Sequence, residues 1–102
     1  MAKYILVVGT NATPGNDAEF NKWYDEVHIP EVCAIPGVTG AKRYEADSAA
    51  PGERPYLAIY ELETDDPNNV LAELAAQSAA GTLHMSPTLD LVNVQTAVYK
   101  LH

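Results

Sequence analysis

Three side chains able to move or hold a proton stand close together in the stretch Phe20-Asn21-Lys22-Trp23-Tyr24-Asp25-Glu26-Val27-His28-Ile29-Pro30-Glu31. Histidine is the side chain whose ordinary pKa lies nearest neutrality, so His28 is the candidate general acid–base. Read as a helix, the stretch puts Phe20, Trp23, Tyr24 and Val27 on one apolar stripe at the i, i+3, i+4, i+7 spacing. Tyr24 precedes His28 by four residues and Asp25 by three, so phenol and imidazole are neighbours and the carboxylate can hold the ring in one tautomer. A proline disfavours helix in the residue before it, so Pro30 is expected to close the helix. His28 would then lie in the last turn, where the helix dipole favours its protonated form. Phe20, Trp23 and Val27 also read as plain core.

The other residues that could meet a ligand come from elsewhere in the chain. Trp23, Tyr60, Tyr44 and Tyr56 supply aromatic walls, suited to a flat, mostly apolar, oxygenated molecule. A tyrosine or Asn93 could hydrogen-bond an oxyanion left by proton removal, and Arg43 is an alternative anion partner, or else a solvated edge residue. His84, in the loop after the second helix, is a further candidate contact. No metal site is expected, because the histidines are scattered at His28, His84 and His102. Neither a glycine-rich phosphate loop nor a serine nucleophile elbow is present. Cys33 lies among Val32, Ala34 and Ile35 and reads as a small apolar residue.

Composition narrows the partners. Fourteen acidic residues against six basic ones give a formal charge of −8, and only Lys42 and Arg43 are adjacent bases. Nucleic acid and anionic membrane surfaces are therefore disfavoured. The apolar run after Met1-Ala2-Lys3 is too short for a signal peptide, and nothing approaches the ~20 apolar residues of a membrane span. A single cysteine fits a reducing compartment, and a cytoplasmic protein is expected.

These residues must be positioned by one domain, residues 1–102. Residues 4–8 read as a buried strand, 10–16 as a loop, and Asn16 or Asp17 as the side-chain cap of the helix, which runs to about Ile29. Ile35-Pro36-Gly37 is a turn, 38–46 a strand with Arg43 and Tyr44 on opposite faces, 47–55 a loop, and 56–62 a strand apolar on both faces. Asp66-Pro67 starts a second helix, whose apolar stripe is Val70, Leu71 and Leu74 and whose end is Gly81. After the loop 81–90, residues 91–101 read as the last strand, with Val92, Val94, Thr96 and Val98 on one face. The order β-α-β-β-α-β predicts an α+β, ferredoxin-like, four-stranded antiparallel sheet with both helices on one face. Its second apolar face needs a cover, and a second copy of the chain is the simplest one.

With these elements in place, the chain resembles the dimeric α/β-barrel superfamily, and within it the small EthD-like proteins. The resemblance is carried by the stretch 20–31, by Ile35-Pro36-Gly37-Val38 and by Arg43-Tyr44, with weaker support from Met85-Ser86-Pro87 and Asp90-Leu91. It implies a homodimer and places the helix-one histidine, here His28, at a pocket between helices and sheet. The superfamily includes cofactor-free monooxygenases, polyketide cyclases, lyases, haem enzymes and proteins without a known reaction. The expected function is thus a small cofactor-independent enzyme of the cyclase, isomerase, lyase or oxygenase type. It would act on a polyketide-like or phenolic molecule, with His28, Tyr24 and Asp25 as catalytic residues. The alternative is a homodimeric binding protein that holds a similar molecule without turning it over. Haem fits less well, since 102 residues leave little room beside the core.

Overall fold

The structure, a computed structural model, describes residues 2–47 and 55–102. Its elements run β1 (Ala2–Thr10), α1 (Asp17–Trp23), a π turn (Tyr24–His28), α2 (Ile29–Cys33), β2 (Val38–Glu45), β3 (Tyr56–Thr64), α3 (Pro67–Ala80) and β4 (Gln95–Lys100). The four strands form one antiparallel sheet in the order β2-β3-β1-β4. The two central strands are the two with the most apolar sequences, as the ferredoxin-like reading expects. Most of the loop expected over 47–55 lies outside the described residues.

Cross-strand register shows how the faces divide. Tyr4 pairs with Leu62, Leu6 with Tyr60, Val8 with Ala58 and Thr10 with Tyr56. These positions turn toward the helices, and Leu6, Thr10, Tyr56, Ala58, Tyr60 and Leu62 are all buried there. The alternate set, which includes Ile5, Val7, Leu57 and Ile59, is only half-buried and makes an apolar second face. Phe20, Tyr24, Val32, Ile35 and Val70 complete the core from the helical side.

The first helical segment departs from expectation at three points. Pro30 does not end the helix, which continues as α2 to Cys33. The reason is the π turn ahead of it: Ile29 N–H reaches back five residues to the Tyr24 carbonyl. That widening accommodates a ring that would clash in a regular helix and an amide that proline lacks. The π turn also keeps Phe20, Tyr24, His28 and Val32 facing inward. In a regular helix three steps of four residues would drift by about 120°. Finally, Asn16 makes no side-chain cap; its amide donates to Thr13 Oγ1 at 2.7 Å, and its carbonyl accepts the Phe20 amide at 2.9 Å.

Helix α3 follows closely the reading of residues 66–81 as a helix. Asp66 Oδ1 accepts the Asn68 amide at 3.0 Å, Pro67 occupies the first helical position, and Gly81 closes the helix at φ +76°. Gly37, in the turn before β2, sits at φ +98°, and a β-carbon there would stand 3.1 Å from Val70 Cγ2. The last strand is shorter than residues 91–101. Asp90 accepts the Val92 amide at 3.0 Å and the Asn93 side-chain amide at 2.6 Å, which winds Leu91–Asn93 into a 3-10 turn instead. Leu91 and Val92 are exposed as a result, and Thr96 is exposed too, so Val98 alone carries the expected apolar face into the core.

Candidate functional site

The π turn delivers an aromatic corner with His28 at its centre. The imidazole stacks on Trp23, with ring centroids 4.9 Å apart and planes at 28°, and meets the Tyr24 ring edge-on at 4.8 Å. Behind them, Phe20 packs against Tyr24 at 5.6 Å and Tyr56 at 5.3 Å. Tyr60, from β3, donates its hydroxyl to Tyr24 Oη at 3.1 Å, and both phenols are buried. The spacing that singled out Tyr24 and His28 therefore does bring them together.

Asp25 does not join them. Its Oδ1 accepts from Arg43 Nη1 at 2.8 Å, while Arg43 Nη2 donates to Asn21 Oδ1 at 2.7 Å. In the widened turn a residue three positions back no longer faces the imidazole. Nor is Arg43 simply solvated: its side chain is 16% exposed, and its guanidinium lies 4.3 Å from the centre of the Tyr24 ring. It enters the layer between sheet and helix as a cation stacked on an aromatic face.

His28 Nδ1 is left buried without a hydrogen-bond partner, the one such side-chain atom among the described residues. Burial pulls the imidazole pKa down to about 4; the Glu31 carboxylate acts against that shift and the Arg43 charge adds to it. The ring is consequently neutral at physiological pH, the reverse of the protonated form expected from a helix end. Burial raises the Tyr24 phenol, opposed by the Tyr60 hydrogen bond and by Arg43. Tyr60 is raised far by burial and by its tyrosine neighbour. Neither phenol ionises near neutrality; each is available as a hydrogen-bonding group. Burial also raises the Cys33 thiol, in line with its reading as a small apolar residue.

The remaining candidates scatter. Tyr44 is 51% exposed and lines a 230 Å³ cavity with Asn21, Asp25, Arg43, Glu45 and Tyr56. Asn93 is occupied by Asp90, in the turn before β4. His84 does approach the aromatic corner, through a partner that sequence reasoning did not single out. Its amide donates to Glu31 Oε1 at 2.9 Å, its ring Nδ1 bonds Glu31 Oε2, and its carbonyl accepts from Trp23 Nε1 at 2.7 Å. Glu31 follows His28 by three residues, and that spacing was its only signal in the sequence. A larger cavity of 450 Å³ lies at the other end of the sheet, against Ile5, Glu61, Tyr99 and Leu101. Neither cavity is lined by His28. No cluster of metal-ligating side chains occurs among the described residues, and no helix among them is long and apolar enough to cross a membrane.

Comparison with protein-family models and with curated proteins gives no match. Solved structures do match over nearly the whole chain. A putative monooxygenase from Shewanella loihica is 17% identical with a TM-score of 0.65, covering 99% of this chain and 95% of that one. The haem degrader MhuD from Mycobacterium tuberculosis is 16% identical with a TM-score of 0.66, covering 96% and 94%. An EthD family protein from Bacillus halodurans is 14% identical with a TM-score of 0.64, and both chains are covered completely. The chain has the ferredoxin-like fold and shares it with EthD and EthD-like proteins and with a dimeric ferredoxin-like protein from Thermobifida fusca.

Proposed function

We propose that the chain is a cofactor-independent, homodimeric small-molecule enzyme that takes a flat, oxygenated, phenolic or polyketide-like molecule at the Trp23–Tyr24–His28 corner of each subunit. The observation that carries this reading is the neutral His28 ring, stacked on Trp23 and edge-on to Tyr24, with its buried Nδ1 unpartnered. A buried polar atom without a partner costs about 1–3 kcal/mol, which a ligand hydroxyl placed on it would recover. A phenol or enol is the fitting donor: flat enough to lie beside Trp23 and able to release its proton to the ring. The oxyanion so formed would face an imidazolium, and that attraction offsets the desolvation holding the free ring neutral. Tyr24 accepts the Tyr60 hydrogen, so its own hydroxyl hydrogen is free to donate to that oxyanion. Fold neighbours that include a putative monooxygenase and the haem degrader MhuD are compatible with small-molecule chemistry in this architecture.

The homodimer follows from the half-buried second face of the sheet, with Ile5, Val7, Leu57 and Ile59 at its middle. Covering it with a second copy would bury an interface on the order of 1,600 Å² or more. Two of the fold neighbours, from Thermobifida fusca and a Jannaschia species, are themselves described as dimeric ferredoxin-like proteins.

Binding without turnover is the second reading, favoured by the low pKa of His28, since a ring held near 4 is a weak base. A titration with 2-naphthol and larger polyphenols, followed by recovery of the ligand, separates the two. The enzyme reading expects saturable binding, weakened at least ten-fold in His28→Phe, and a changed product from a subset of ligands. Equal binding by His28→Phe would remove both readings.

A further inference from the structure

Residues 84–87 run between two buried anchors, Leu83 on one side and Thr88 with Leu89 on the other. Between the anchors the chain is mostly exposed. Met85 and Ser86 bond to the anchors themselves. The hydrogen bonds to the helical segment are made at His84, which holds Glu31 through both its amide and its ring and receives the Trp23 indole hydrogen on its carbonyl. Trp23 and Glu31 flank His28 in sequence, and Trp23 is the ring stacked on the imidazole. We propose that residues 84–87 are a gate over the His28 site, latched by Glu31 and Trp23, whose release admits the small molecule. This rests on the reading of His28 as the ligand site.

The physical case is an asymmetry between anchors and latch. Leu83, Thr88 and Leu89 are at most 9% exposed, so the ends of the segment stay fixed. The latch lies at the surface, with the His84 side chain 74% exposed, where water can replace each of its hydrogen bonds. A segment with fixed ends and a surface fastening opens locally without unfolding the sheet. Opening has a direct consequence at the site. Losing the His84 carbonyl frees the Trp23 indole, and the indole is what covers one face of the imidazole. The gate thus accounts for a site whose polar centre lines neither of the two cavities.

The test needs no ligand. Diethyl pyrocarbonate acylates neutral imidazole nitrogen, and peptide mass spectrometry distinguishes His28 from His84 and His102. At pH 7 the gate predicts slow modification of His28 in the wild-type protein and rapid modification of His84. Glu31→Ala should raise the His28 rate roughly ten-fold, the scale of losing a charge-assisted hydrogen bond, and Glu31→Gln should raise it less. Exchange of the Trp23 indole hydrogen should accelerate in parallel, with the far-ultraviolet circular dichroism unchanged. His84→Pro, which removes both the ring and the amide bond to Glu31 and leaves the helix intact, should give the same direction if Glu31→Ala does not fold. An unchanged His28 rate in a folded latch variant overturns the gate, as does wild-type His28 reacting as fast as His84. A gate that opens in a protein binding no phenol keeps this inference and removes the ligand reading.

Discussion

Replacing His28 with phenylalanine should change how stability responds to pH. Histidine has an ordinary pKa of 6.5, and burial lowers that of His28 to about 4 in the folded chain. Between those values the unfolded chain binds a proton that the folded chain does not, so stability is complete above pH 6.5 and falls as pH drops toward 4. Below about 4 the loss levels off. At about 1.4 kcal/mol per pH unit the full effect is about 3 kcal/mol, of which about 2 should have appeared by pH 4.5. The acidic residues also begin to titrate there, so the quantity to compare is the difference between wild type and His28→Phe at each pH. Urea unfolding at pH 7 and pH 4.5, at one fixed protomer concentration, supplies it. His28→Phe keeps an aromatic ring against Trp23 and removes the unpartnered nitrogen, so at pH 7 it should equal or exceed the wild type in stability. At pH 4.5 its advantage should grow by about 2 kcal/mol. Parallel pH dependences for the two proteins would refute the buried, neutral imidazole.

Other substitutions probe the frame around the site. Phe20→Ala deletes a ring with no exposed surface that touches Trp23, Tyr24 and Tyr56, and should cost about 3–5 kcal/mol in urea unfolding. Gly37→Ala should cost about 1–3 kcal/mol by the same assay, because a left-handed φ and the Val70 methyl at 3.1 Å both oppose a β-carbon. Ile59→Lys places a charge on the second face of the sheet, between Val7 and Lys42 on the neighbouring strands. It should convert a dimer into a folded monomer in sedimentation velocity at micromolar concentration, and a persistent dimer would move the interface elsewhere.

The element order was legible because each helix and strand carries a period of its own. Asp66-Pro67 and Gly81 mark both ends of the second helix, and the two apolar strands take the centre of the sheet. What escaped was local backbone competition. Pro30 is a stop signal in a regular helix, and no residue pattern announces the π turn that lets the chain continue past it. A regular helix would end at Pro30, put His28 in its last turn in the charged form and bring Asp25 beside it. The π turn carries the helix on and turns Asp25 to Arg43, and burial keeps the ring neutral. Asp90 has the same lesson in a smaller form: one carboxylate holding two nearby donors shortened the last strand and withdrew Asn93 from the site. Arg43 and Glu31 were visible only as charges, since their partners lie across the fold, on Asn21, Asp25 and His84.

In the proposed site His28 is a neutral ring whose Nδ1 receives a ligand's hydroxyl. Nitrogen-15 chemical shifts of the His28 ring, followed from pH 3 to pH 8 with and without saturating 2-naphthol, test it directly. A midpoint near 4 in the free protein, together with a hydrogen-bond shift confined to Nδ1 in the presence of the phenol, is the expected result. A midpoint near 6.5, or an Nδ1 resonance that the phenol leaves unmoved while binding occurs elsewhere, would contradict it.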